Sequence, residues 1–181
     1  MLPGPAVVEA GPVRLRPWRD DDVDDVWAAQ QDPAVRLWAG GVASREETVA
    51  LLARLTGQPN RVSWAVADAG SGAFLGSLTL HSVDVVTNHA QAGYWTAPAA
   101  RGRGVAARAL DAAVRWAFAT LPVDRVAVFH AAENAASARV AAKAGFTLEG
   151  RLRRSYRYGD GAEHDELVWA RLAGDEAPHL G

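Results

Sequence analysis

Apolar and polar residues alternate at Val13-Arg14-Leu15-Arg16 until Pro17 interrupts them, the period-two signature of a first strand. Asp20 can cap a helix whose apolar stripe is Val23, Val26 and Trp27, and the acidic residues of its first turn suit the helix dipole. Ser44, with Glu47 three residues on, forms a capping box for a second helix that Gly57 closes. Val62–Ala67 and Ala73–Leu80 read as a hairpin around Asp68-Ala69-Gly70-Ser71-Gly72. Ala90–Thr96 is a further strand, ended by Pro98. The longest helical pattern is Gly104–Leu121: Ala106, Leu110, Ala113, Val114, Ala117 and Leu121 form its stripe, and Arg108, Asp111 and Arg115 fall on another face where they can pair. Val126–Phe129 reads as a short buried strand, and Asn134 caps a helix that runs to Ala144 and stops at Gly145. Phe146–Leu152 and Glu163–Leu172 are the last strands, turning around Gly159-Asp160-Gly161.

The predicted order is β-α-α-β-β-β-α-β-α-β-β. Antiparallel hairpins surround one βαβ unit, Ala90 to Phe129, whose two strands should be parallel with a right-handed crossover. This is an α/β fold with a mixed, mostly antiparallel sheet and helices on its faces. A chain of 181 residues fits one domain, 1–181, with its core over about 12–173 and frayed ends.

Composition narrows the chemistry. A net charge of −2 argues against a nucleic-acid partner. No cysteine is present, which excludes disulfides, thiolate metal sites and a covalent Cys intermediate. No apolar run approaches membrane-spanning length, and Met1–Gly11 lacks the basic start and apolar core of a signal peptide; the expectation is a cytoplasmic protein that does not engage membranes. The five His show no metal-ligand spacing, so no metal is expected. Eighteen Arg against one Lys reads as composition bias.

The informative segment is Arg101-Gly102-Arg103-Gly104-Val105-Ala106, which follows a strand and opens the longest helix. The first amides of a helix have no intrahelical acceptor, and the dipole adds about half a positive charge there. Glycines allow close approach of a phosphate, and two guanidinium groups flank the turn; a pyrophosphate is the natural guest. The bland alternative is a strand-to-helix turn with solvated arginines. The segment also fits the dinucleotide fingerprint G-x-G-x-x-A, but that reading wants an acidic residue at the end of the next strand, and nothing acidic follows until Glu133.

Arg101-x-x-Gly104-x-Ala106 resembles the Q/R-x-x-G-x-G/A signature of the GNAT superfamily of acetyl-CoA-dependent N-acetyltransferases. Gly93-Tyr94-Trp95, Asn134-x-x-Ser137, Lys143-x-Gly145-Phe146 and Glu149-Gly150 resemble the branch that contains the ribosomal-protein N-terminal acetyltransferases. The resemblance spans Val13 to Leu172. It implies acetyl-CoA as the acetyl donor, held at Trp95, Thr96, Arg101, Gly102, Arg103, Gly104, Val105, Ala106, Asn134, Ser137 and Lys143, with an amine acceptor as the other partner. It also implies that main-chain groups near Trp95 and Thr96 bond the pantetheine arm in a gap between two diverging strands. Ser137 is the expected donor to the leaving thiolate, although Ser is also favoured at a helix start for local reasons.

The branch often carries Glu two residues before Gly-Tyr-Trp; here the position is Gln91, which cannot accept a proton. His130 is the second candidate for base or relay, with His81 behind it. Trp38, Gln91 and Tyr156 are candidates for the acceptor pocket, Trp38 equally for core packing. The Arg151, Arg153, Arg154 and Arg157 group reads as a solvated hairpin face. The missing carboxylate leaves a second functional reading, a catalytically silent acyl-CoA-binding regulatory module. A monomer or a homodimer is compatible with the sequence.

Overall fold

The computed structural model describes residues 2–180. The described elements are β1 (Val8–Ala10), β2 (Val13–Arg16), α1 (Asp22–Gln30), α2 (Pro33–Ala39), α3 (Arg45–Gly57), β3 (Val62–Asp68), β4 (Phe74–Asp84), β5 (His89–Thr96), a 3-10 turn at Pro98–Ala100, α4 (Val105–Thr120), β6 (Arg125–Ala131), α5 (Ala135–Lys143), β7 (Thr147–Arg157) and β8 (Glu163–Leu172). One eight-stranded sheet runs in the order β1-β2-β3-β4-β5-β6-β8-β7. All neighbours are antiparallel except β5 and β6, as the βαβ reading requires.

Alternation along β3 assigns the two faces. Val62, Trp64 and Val66 point into the main core with Leu78 and Leu80 of β4 and the apolar stripe of α4. Trp64 is fully buried, and its ring stands edge-on to Trp116 of α4 at 5.0 Å. On the opposite face, Val23 and Val26 of α1 and Leu52 of α3 pack with Trp18, Phe74 and Trp95.

Two elements lie outside the predicted order. β1 pairs with β2 through Val8↔Leu15, and α2 stands between α1 and α3. Asp32 caps α2, accepting from the amides of Ala34 and Val35, and Pro33 is preorganised at the first helical position. Trp38 therefore lies on a helix of its own rather than in a connecting loop. The helix expected to be capped by Asp20 starts at Asp22, whose carboxylate turns back to the buried Arg16 guanidinium at 2.6 Å. Asp111, read as a partner of Arg115 on a separate face, is buried; it accepts from Arg115 at 3.0 Å and from Arg171 at 2.7 Å.

Candidate active site

β5 and β6 pair only at His89↔Arg125, Ala90↔Val126 and Gln91↔Ala127. Beyond that point β5 stays bonded to β4 as far as Thr96, and β6 stays bonded to β8 as far as Ala131. The two strands thus diverge and leave facing main-chain edges from Ala92 to Thr96 and from Val128 to Ala131. Between them opens a cleft of about 1030 Å³. Its floor reaches the start of α4 and its far wall is the first turn of α5.

At one end of the cleft the chain turns through Gly102 at φ 75° and Gly104 at φ 73°, the left-handed region that glycine enters without strain. No side chain caps α4, and no protein acceptor among the described residues takes the amides of Val105, Ala106 and Ala107. A Cβ at Gly102 would meet nothing within 4 Å. An uncapped helix start behind an open glycine turn fits a phosphate group, and the free edge of β5 fits an extended amide-bearing arm.

The flanking arginines are less free than the sequence implies. Arg101 bonds Asp32 at 2.6 Å, tying the turn to the cap of α2. The Arg101 guanidinium, followed by the Val35 and Ala34 amides, holds the Asp32 carboxyl below its usual range against the opposing effect of burial. Arg103 reaches Asp68 at 3.4 Å and does not line the cleft.

Trp95 and Thr96 line the cleft, but the Trp95 ring packs on Phe74 at 5.7 Å, so its main chain is what the cleft can use. Asn134 caps α5 by accepting from the Ser137 amide at 3.1 Å. The Ser137 Oγ lies 2.8 Å from the Tyr94 hydroxyl. Burial pushes the Tyr94 phenol up to about 12, so it stays a hydrogen-bond donor. Lys143 lies on the same wall at the end of α5.

Gln91, His130, Trp38 and Tyr156 also line the cleft. The His130 Nδ1 is 2.8 Å from the Ala131 carbonyl, an arrangement that makes Nδ1–H the donor and leaves a lone pair on Nε2. That Nε2 is buried and meets no hydrogen-bond partner among the described residues. Burial first lowers the His130 pKa, against the opposing pull of the Ala131 carbonyl and Glu166. His81 lines the cleft too and is likewise lowered by burial and then by Arg61, whereas His89 is exposed at the start of β5. The arginines of β7 are surface groups; Arg151 pairs with Asp165 at 2.7 Å and Arg157 with Glu163 at 3.0 Å. Among the described residues no cluster of His, Asp or Glu could hold a metal ion.

The sequence did not single out Tyr94 as the partner of Ser137, nor Tyr158 and Glu166. Tyr158 stands edge-on to Trp38 at 5.4 Å and donates to Glu166 Oε1 at 3.0 Å. The hairpin turn holds α2 in register: the Gly159 amide donates to the Leu37 carbonyl at 3.0 Å.

Comparison with known proteins places this geometry. Over 101 residues the chain is 34% identical to YdaF of Bacillus subtilis, provisionally named a ribosomal N-acetyltransferase; the match covers 56% of this chain and 55%, about half, of that relative. RimJ of Mycobacterium smegmatis, solved in complex with CoA-disulfide, superposes with a TM-score of 0.82 at 26% identity, covering 93% of this chain and 88% of that one. RimL, a ribosomal L7/L12 alpha-N-protein acetyltransferase solved in complex with coenzyme A, shares the fold with a TM-score of 0.82 at 20% identity, covering 92% of this chain and 98% of that one. The family model described as an acetyltransferase (GNAT) domain matches residues 13–147, from the second strand through the glycine turn to the start of β7. The chain belongs to the GNAT family of acetyltransferases, whose acetyl donor is acetyl-CoA.

Proposed function

We propose that the chain transfers the acetyl group of acetyl-CoA to a primary amine, an α-amine of a protein, peptide or small molecule in preference to a lysine side chain. The observation that carries the reading is the divergence of β5 and β6 beside an uncapped helix start. The amides of Val105, Ala106 and Ala107 would hold the pyrophosphate, with Arg101 and Lys143 adding charge, and the free edge from Ala92 to Thr96 would pair with the pantetheine arm. Acetyl-CoA supplies an acyl group on a thiolate leaving group.

The chain's own residues divide the proton work. Ser137 Oγ, backed by the Tyr94 hydroxyl, is the donor to the departing sulfur. His130 Nε2 offers a buried lone pair on the acceptor side, where Gln91 can only hold a hydrogen bond or a water. Deprotonating a lysine ammonium near pH 7.4 costs about 4 kcal/mol, against about 0.5 kcal/mol for an α-ammonium. An imidazole whose pKa is lowered by burial is matched to the second task and not to the first.

The test is free-thiol release from acetyl-CoA with an alanine-headed tripeptide amide and with Nα-acetyl-lysine amide. The reading expects at least tenfold higher kcat/KM for the peptide. Equal rates overturn the α-amine preference, and acetyl-CoA binding with no turnover on either amine identifies the silent module instead.

A further inference from the structure

Three carboxylates are buried among the described residues: Asp22, Asp111 and Glu166. Asp22 is paired with Arg16 at 2.6 Å and Asp111 with Arg171 at 2.7 Å. Glu166 has no such cation. Its Oε1 accepts from the Tyr158 hydroxyl at 3.0 Å and its Oε2 from the Ser155 hydroxyl at 2.9 Å, and among the described residues nothing else bonds its side chain. An ionised carboxylate has about four lone-pair sites, so two hydroxyl donors leave capacity over. A buried anion without a counter-ion is costly and seldom retained without a use. Burial and then Glu166 push the Tyr158 phenol up, so it remains a neutral donor to the carboxyl.

Glu166 lines the cleft on β8, in register with Ala131 and next to the position of His130. Three rings line the same end: Trp38, Tyr158 edge-on to it at 5.4 Å, and Tyr156 at 4.8 Å from Tyr158. A carboxylate with spare acceptor capacity framed by aromatic faces selects organic cations of the alkylammonium type. On the adjoining strand, His130 Nε2 is buried without a hydrogen-bond partner among the described residues, and its imidazole lies within electrostatic reach of Glu166. The three features converge where the acceptor must approach the cleft.

We propose that Glu166, framed by Trp38, Tyr156 and Tyr158, seats the acceptor in its ammonium form and that His130 Nε2 takes the proton the ammonium must lose. This rests on the acetyltransferase reading above and names how its acceptor is recognised. In the step, one N–H bond of the ammonium breaks and the proton moves to Nε2. The electron pair stays on the nitrogen, which becomes the neutral nucleophile, and the proton is carried on the imidazolium so formed.

The experiment uses the full chain with saturating acetyl-CoA, the alanine-headed tripeptide amide as acceptor, and propyltrimethylammonium as a cation that cannot be acetylated. In the wild type, propyltrimethylammonium competes with the peptide. In Glu166→Gln, KM for the peptide rises at least tenfold with kcat changed less than threefold, inhibition by propyltrimethylammonium disappears, and acetyl-CoA affinity is unchanged; Glu166→Asp recovers part of the loss. Tyr156→Ala removes an exposed ring, so folding is not at stake, and it weakens both peptide and propyltrimethylammonium several-fold. An unaltered KM in Glu166→Gln, or a loss of acetyl-CoA affinity in parallel with it, overturns the proposal. If the wild type releases no thiol with any amine, the acetyltransferase reading fails instead, while calorimetric binding of propyltrimethylammonium still reports on the ammonium seat.

Discussion

The Tyr94 hydroxyl lies 2.8 Å from the Oγ of Ser137 and 3.3 Å from its carbonyl oxygen, joining the end of β5 to the first turn of α5 across the cleft. A buried, protonated phenol in this position can donate to Ser137 and leave the serine hydroxyl hydrogen free to point into the cleft. Ser137→Ala should therefore lower kcat about a hundredfold, the low end of what a positioned proton donor supplies. Tyr94→Phe removes one supporting hydrogen bond worth about 1 kcal/mol and should cost roughly fivefold. Steady-state thiol release and acetyl-CoA titration check both, with acetyl-CoA affinity expected to hold in each variant.

Asp32 holds Arg101 away from full use as an anion ligand while capping α2. Asn serves equally well as an N-cap, so Asp32→Asn should keep the helix and release the guanidinium. The expected outcome is severalfold tighter CoA binding with a steeper salt dependence, measured by calorimetry at two ionic strengths. Weaker binding would mean that Arg101 works only when Asp32 orients it.

A Cβ added at Gly159 would sit 2.3 Å from the Arg36 carbonyl oxygen, closer than any side chain tolerates. Gly159→Ala must push the β7–β8 turn off α2 and move Trp38 with it. Overpacking of this kind costs roughly 1–3 kcal/mol. Urea unfolding should register that loss, and KM for the acceptor should rise while acetyl-CoA affinity stays at the wild-type value.

The histidines give opposite pH signatures. Burial holds His130 and His81 below the ordinary imidazole value of about 6.5. Their contribution to stability is present above that value and is lost as pH falls through the lowered native pKa. His164, bonded to Asp160 at 2.9 Å and to Glu133 at 3.3 Å, is raised by those two carboxylates, Asp160 first. Its contribution is present below about 6.5 and is lost as pH rises through the raised value. Unfolding free energies across pH 5 to 9 should show His130→Gln flattening the acid side and His164→Gln flattening the neutral-to-alkaline side; the reverse assignment would contradict the burial and pairing described.

What the sequence revealed followed from local rules. The α4 stripe, the Ser44 and Asn134 caps and the Gly145 stop all depend on neighbours within a few residues, and each stands where the pattern indicates. The glycine turn was legible because helix-start chemistry is local too. α2 was missed because only Val35 of its seven residues is buried, which leaves no stripe to read, although Asp32-Pro33 carries the cap signal. The Asp111–Arg115 pair was legible, whereas the burial of Asp111 was not, because its second partner, Arg171, lies 60 residues away. Glu166 was invisible because its carboxyl is covered by its own hairpin, with Ser155 and Tyr158 folding back onto β8, and alternation along HDELVWARL does not announce it. Resemblance supplied the cofactor and the reaction class, while the aromatic cluster of Trp38, Tyr156 and Tyr158 around Glu166 came from tertiary packing.

The central claim is that the cleft between β5 and β6, with the amides opening α4, binds acetyl-CoA. Thermal unfolding with acetyl-CoA, with NADH and with neither tests it most directly. At a hundred times its Kd a specific ligand adds about 2.7 kcal/mol, roughly a 5–10 °C rise in Tm for a domain of this size. The account predicts that rise with acetyl-CoA alone; no shift with acetyl-CoA, or an equal shift with NADH, would contradict it.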